Sequence, residues 1–203
     1  MTRRRLLNLG AAAIAALGLT IFAQGAWIQA KAVLAQYLLE DAFAESVATG
    51  RPVKPWDWAD TWPVAKIEVP RLGRSAIALA GSSGQALAFG PGHLDRSAEP
   101  GEPGTAVFAA HRDTHFAFLG AVKPGDAIEV TRADGRTFTY ETTGSEIVRW
   151  DNSGISADAR GTQLALVTCW PLDGKTRGPL RYVVHATLRE ANVMPAKFNG
   201  RMP

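Results

Sequence analysis

Cysteine is almost missing from this chain: Cys169 is the only one in 203 residues. An internal disulfide is therefore excluded. A strong charge imbalance is missing as well, with 22 Lys and Arg against 19 Asp and Glu. Three of the arginines, Arg3, Arg4 and Arg5, sit together at the N-terminus. The remainder is close to neutral and offers no broad basic face, which excludes nucleic acid as a partner. The chain also lacks internal repeats and low-complexity segments. Its length excludes two large domains and leaves room for one ordinary core with something small attached.

A long apolar run is present. LLNLGAAAIAALGLTIF (Leu6 to Phe22) continues through Ala23 to Ile28, a continuation in which only Gln24 is clearly polar. An uncharged stretch of roughly 20 residues is what a helix needs to cross a bilayer. The arginines before it predict a cytoplasmic N-terminus and a domain on the far side of the membrane. A cleaved signal peptide is the alternative, since Ala23 and Gly25 are small residues at cleavage-site spacing, but the run exceeds the roughly 7 to 15 residues of a signal core. TRRRLL also faintly resembles a twin-arginine export signal. Either way the domain is exported. In an oxidising compartment a lone cysteine is either a small buried hydrophobe or a reactive thiol, and its count leaves both open.

Residues 1–28 are thus read as Arg cluster and single transmembrane anchor. Residues 29–55 read as an amphipathic stalk, with Val33, Tyr37, Leu38, Ala44 and Val47 at helical spacing and Gly50, Pro52 and Pro55 ending it. Residues 56–203 form the main domain. Trp56, Trp58 and Trp62 in PWDWADTWP are expected to lie over its core, rather than to anchor at a membrane or hold a substrate. From Pro63 onward no long amphipathic helix is evident. Short apolar runs fall between Gly, Pro and Asp turns: Ala65 to Val69, Ala76 to Ala80, Thr105 to Ala110, Ala127 to Thr131, Thr137 to Thr143, Glu146 to Trp150, Leu164 to Cys169 and Arg181 to Leu188. About eight such strands predict an all-β domain, a closed or nearly closed barrel.

LALVTC is nearly all apolar, so it reads as a buried strand with Thr168 and Cys169 at its exit. In RYVVHATL, Tyr182, Val184, Ala186 and Leu188 face one way, and Arg181, Val183, His185 and Thr187 the other. If the two strands pair antiparallel, Cys169 and Arg181 meet at the mouth of the loop between them. That loop is longer than the usual 2 to 5 residues of a hairpin, as functional loops often are. A cysteine nucleophile needs a proton-handling partner. His111 follows the apolar TAVFAA and also stands at a strand exit. His185 lies roughly 13 Å beyond Arg181 at about 3.3 Å per residue, too far down the strand. His93, in GPGHLD, reads as a structural hydrogen-bonding residue. HRDTH places His111 and His115 four apart, but no Glu follows His111 as in zinc proteases, so a metal site is not expected. Asp113 either orients His111 or sits in a solvated turn.

At this point the residues resemble a known family. AAHRDTHF, LVTC within LALVTCWP, and GPLRYVV, in that order behind a membrane anchor, look like a sortase. The family signature is TLxTC-like, and Leu166 to Cys169 match its last four positions while Ala165 replaces the first threonine. DTWPVAKIEVPRLG, ALAFGPGHL, PGEPGTAVFAAHRDTHF and GPLRYVVHA resemble more narrowly the Gram-negative sortases of proteobacteria. The resemblance runs from about Trp56 to Leu188. It implies a closed eight-stranded barrel and a cysteine transpeptidase; no cofactor is expected, and the sequence does not decide a metal requirement. Cys169 would be the nucleophile, His111 the proton carrier and Arg181 the stabiliser of the oxyanion, with Thr168, Asp113, Trp170 and Arg177 supporting or binding substrate. The implied partners are a secreted protein with a C-terminal LPxTG-like sorting motif and an amine acceptor of unknown identity. The implied location is the bacterial inner membrane, with the domain in the periplasm. L,D-transpeptidases, whose cysteine lies in an S/T-H-G-C run, and a non-catalytic membrane-tethered scaffold are the competing readings.

Overall fold

The computed structural model describes residues 3–176, 178–189 and 194–195. It opens with helix α1, Arg3–Thr49. From Ala13 onward the helix is long and apolar enough to cross a membrane, with a mean hydropathy of 1.4 in its apolar window and none of that window buried. The compact unit that holds the barrel begins within this helix, at Leu38. There Leu39 and Phe43 bury against Ile77, Leu79 and Ala86. The Ser46 hydroxyl donates to the Ala42 carbonyl (2.7 Å) and accepts from the Val53 N–H (3.0 Å). This holds the turn after the helix, which Gly50 ends at a φ of 67°.

Eight strands follow: β1 (Pro63–Val69), β2 (Arg74–Ala80), β3 (Gly92–His93), β4 (Gly104–Ala109), β5 (Ala127–Arg132), β6 (Arg136–Arg149), β7 (Thr162–Cys169) and β8 (Leu180–Leu188). They run in the order β5-β1-β2-β3-β4-β7-β8-β6, and pairing of β6 with β5 closes the ring. A two-residue strand β9 (Met194–Pro195) lies along the start of β6. Only β2–β3 and β4–β7 pair in parallel among these strands. The closed eight-stranded barrel is the expected one, but two strands differ in detail. The segments read as separate strands at Thr137 to Thr143 and Glu146 to Trp150 are one strand, β6. It bends at a register shift between Thr142 and Gly144 while staying on the same β8 ladder. The eighth strand is instead β3, too short to show alternation and hidden in a Gly and Pro run. A Cβ on Gly92 would lie 2.3 Å from the Gly81 carbonyl oxygen, so only glycine fits that approach. A short helix α2 (Gly84–Phe89), capped by the Ser83 side chain on the Ala86 N–H (3.1 Å), lies between β2 and β3.

Period-two alternation fills the barrel. Ala65, Ile67 and Val69 of β1, Phe108 of β4, Ile128 and Val130 of β5, Tyr140 of β6, Leu164 and Leu166 of β7 and Val184 of β8 form one cluster. The Tyr140 hydroxyl accepts from the Gly101 N–H (2.7 Å), and burial pushes its pKa up to about 12. Trp56 packs edge-on against Phe89 (5.1 Å between centroids), as expected for a residue over the core, whereas Trp58 and Trp62 are exposed, Trp58 at 81%. The intervening Ala59 and Thr61 take the buried positions, with the Thr61 hydroxyl donating to the Ala80 carbonyl (2.8 Å).

The turns at one end are joined by charge. Arg71 grips the buried Asp126 carboxylate through Nε and Nη2, the latter at 2.6 Å, and the Lys123 N–H donates to it at 2.7 Å. The hydrogen bond from Arg71 holds the Asp126 carboxyl below the ordinary carboxylate range, against the opposing effect of burial. A carboxyl whose folded pKa is depressed contributes stability above its unfolded value, about 3.9, and loses it as pH falls through the lower folded value. Asp126→Asn should therefore be less stable than wild type at neutral pH, and urea midpoints of the two should converge below about pH 3.9. A gap that stays constant down to pH 2 would show that this carboxylate does not carry the acid dependence.

Candidate active site

Strand parity decides which side chains reach the outer face beside the cleft. On β7, Leu164 and Leu166 point into the barrel, so Ala165, Val167 and Cys169 point out. On β8, Val184 and Ala186 point in, and Arg181 and Val183 out. The antiparallel register sets Val167 opposite Val183 and Cys169 opposite Arg181, the neighbours expected from the sequence. Arg181 Nη1 donates to the carbonyls of Leu180 (2.9 Å) and Gly178 (3.2 Å), which hold the guanidinium at the strand start. Arg177 lies outside the described residues.

His111 arrives from β4. The parallel ladder sets Ala109 opposite Val167, so both chains leave the sheet two residues later, at His111 and Cys169, and both residues line one cleft. Between them the buried Thr168 hydroxyl donates to the Ala110 carbonyl (2.8 Å), joining the residues that precede Cys169 and His111. Beyond them Arg112 donates from Nη1 to the Pro171 carbonyl (2.7 Å) and from Nη2 to the Gly174 carbonyl (3.1 Å). Leu172 packs over Gly120, where a Cβ would come within 2.7 Å of its Cδ1. The loop after Cys169 is thus tied to the segment after His111 at three places. Sequence reasoning passed over Arg112, because its partners are backbone carbonyls some sixty residues away (separations of 59 and 62) that leave no side-chain signal.

Trp170 stacks on Tyr182 (5.8 Å, 24° between planes) beside the cleft. Asp113 is exposed and lines the cleft, with no hydrogen bond to His111 among the described residues. His93 is buried, with Nε2 at 3.0 Å from the Ala98 carbonyl and 3.2 Å from Ser97 Oγ. His185 sits opposite Ala165 and pairs with Glu146 (2.9 Å), away from Cys169. Burial holds His115 below the ordinary imidazole range, with nearby His111 acting in the same direction and a backbone contact to Ala88 opposing.

Two spaces meet at Arg181. One is a polar cleft of about 790 Å³ that contains His111, Arg112, Asp113, Lys175 and Cys169. The other is an apolar groove of about 290 Å³ on the outer face of β4, β7 and β8, floored by Val107, Val167 and Val183 and walled by Leu94, Trp150 and Ile155. The wall segment docks on β4 through the Thr105 N–H, which donates to the Ala157 carbonyl (3.0 Å). Gly104, at a φ of 113°, allows this approach, since a Cβ there would lie 2.3 Å from that carbonyl oxygen. The groove was not legible in the sequence, where its floor reads as ordinary core.

Comparison with known proteins matches the fold. The family model described as the sortase domain matches residues 67–189. Sortase D of Bacillus subtilis (strain 168) is 32% identical over 120 residues, which make up 59% of this chain and 60% of that protein. The chain thus spans about 60% of the length of the curated relative it matches. Sortase A from Corynebacterium diphtheriae superposes with a TM-score of 0.59 at 27% identity, covering 66% of this chain and 64% of that one. Sortase E from Streptomyces avermitilis superposes at 0.53 and 30% identity, covering 63% and 88%.

If the Thr168 to Ala110 bond sets the two strand exits, Thr168→Val should cost about 1–3 kcal/mol, because it keeps the volume and strands a buried carbonyl. Thr168→Ser should recover most of the loss. Urea unfolding of the three proteins measures this, and a valine variant as stable as wild type would assign the bond no weight.

Proposed function

Because the chain belongs to the sortase family, we propose that it is a cysteine transpeptidase that cleaves a C-terminal LPxTG-like sorting motif and passes the target protein to an amine. The carrying observation is the cross-strand pair Cys169 and Arg181, with His111 in the same cleft and an apolar groove opening on Arg181. An apolar groove of this kind suits the leucine and proline side chains of such a motif, leaving the scissile bond at Cys169. The narrower similarity to Gram-negative sortases is part of the proposal. So are a single-pass inner-membrane anchor within residues 1–28, an amphipathic stalk over 29–55, which from Leu38 onward belongs to the compact unit of the barrel, and a periplasmic catalytic domain over 56–203.

In the proposed mechanism Cys169 Sγ attacks the scissile carbonyl carbon. Negative charge develops on the carbonyl oxygen, and the Arg181 guanidinium faces it with a planar fork of donors. Collapse breaks the C–N bond, and protonated His111 gives its proton to the departing amine, leaving a thioester on Cys169. The acceptor amine then attacks the thioester carbon, His111 takes its proton, and the C–S bond breaks to restore the thiolate. Thr168, Trp170 and Asp113 act on this centre from its edges: Thr168 by holding the strand exits, Trp170 by stacking on Tyr182, and Asp113 by its charge at the cleft. Arg177 is proposed as a substrate contact on sequence grounds alone.

Incubation with sorting-motif peptides should leave an acyl mass on Cys169, and Cys169→Ala should show neither adduct nor cleavage while keeping its fold. Cleavage by the purified alanine variant would sink the assignment. Arg181→Lys keeps the charge and loses the bidentate fork, so single-turnover acylation should slow by on the order of 2 kcal/mol or more in activation free energy. An unchanged acylation step would remove Arg181 from the oxyanion role.

A further inference from the structure

The charges around Cys169 are unevenly compensated. Arg71, Arg132, Arg136, Arg149 and Arg189 each face a carboxylate. Arg112 and Arg181, which line the cleft, form no salt bridge: both are fixed by backbone carbonyls, which orient a guanidinium without cancelling its charge. Lys175 lines the same cleft; none of these three cations forms a salt bridge among the described residues, while the Asp173 carboxylate accepts from the Lys175 backbone N–H (3.2 Å). Against these three cations stand two carboxylates, Asp113 in the lining and Asp173 on the Lys175 backbone. This cleft is separate from the apolar groove and shares Arg181 with it, so a motif lying in the groove leaves the cleft free for a second substrate.

Resting on the transpeptidase reading, we infer that the acceptor is an amine carrying its own anionic group, a carboxylate or phosphate a few bonds from the nitrogen, which binds on the Arg112 and Lys175 side of Cys169. A bare ammonium entering this field is repelled, whereas an anion is drawn in and brings the amine to the thioester. The same field favours the neutral, nucleophilic form of that amine over its ammonium form. A cleft lined by one sign of charge raises the local concentration of oppositely charged ligands, and salt weakens the effect where it is open to solvent.

Two measurements on the full chain in detergent test this. Cys169 is the lone thiol, so its alkylation reports the cleft directly, without any substrate. The ratio of rates with anionic iodoacetate and neutral iodoacetamide should exceed that of N-acetylcysteine by about tenfold or more, and should fall with added salt and in Lys175→Gln. Once a sorting peptide has acylated Cys169, glycylglycine should discharge the thioester at least about tenfold faster than glycylglycinamide if a carboxylate is read, and O-phosphoethanolamine faster than ethanolamine if a phosphate is. Lys175→Gln should narrow whichever ratio is large. A thioester discharged equally by both members of each pair, or an alkylation ratio no higher than that of the free thiol, overturns this inference alone. Failure of any thioester to form overturns the transpeptidase reading and this one with it.

Discussion

Cys169 stands opposite Arg181 because Leu166 stands opposite Val184 and Val167 opposite Val183 on the same ladder. A slip of one residue between β7 and β8 would turn the β8 core residues Val184 and Ala186 outward and bring Val183 and Arg181 into the barrel. The apolar interior does not tolerate that exchange, so the burial that stabilises the barrel also sets the neighbours at its mouth. The candidate site needs no separate device to fix this pair. It inherits the register from the core.

The third residue depends on a contact of another kind. His111 and Cys169 leave β4 and β7 in the same direction, since these strands are parallel, and parallel neighbours are joined by a long crossover rather than a turn. Here the crossover contains β5 and β6. Holding the two exits together falls to the bond from Thr168 to Ala110, the Arg112 grip on two carbonyls and the packing of Leu172 over Gly120. The first is buried and short; the other two restrain a loop that is otherwise largely exposed. Rigidity therefore grades outward from the strand ends toward the cleft, as a site requires when one reactive group must stay fixed while substrates enter and leave.

Placing the site on the outer face of the barrel gives it two unlike surroundings. On one side the residues in phase with Cys169 and Arg181, namely Val107, Val167 and Val183, make an apolar floor. On the other the sheet has ended, and loop residues with polar and charged side chains take over. The proposed acyl transfer, with a peptide donor and a small acceptor, would use both: apolar contact to hold the donor, and an open, charged approach for the acceptor. Arg181 borders both spaces, so the same guanidinium sits where the two substrates would meet.

Local pattern was enough to read the apolar helix, seven of the stretches that form strands and the antiparallel neighbours Cys169 and Arg181, because alternation and a single loop relate residues close in sequence. It also separated His111 from His185, since distance along one strand follows from its rise per residue. It did not reveal β3, which has two residues and no period, or the union of two expected strands into β6, where a bulge breaks the alternation without breaking the ladder. Nor did it reveal that Trp58 is exposed while Ala59 and Thr61 are covered. Arg112, Lys175 and the groove floor became visible only in three dimensions. Their significance rests on backbone carbonyls, on the closeness of two loops and on the pairing of β4 with β7 more than fifty residues away (a separation of 58 between Ala110 and Thr168). The sequence by itself determined which face of each strand is apolar, because side chains alternate with the backbone. Only the closed barrel decided which of those faces became the core and which the floor of a groove, because that depends on which strands meet.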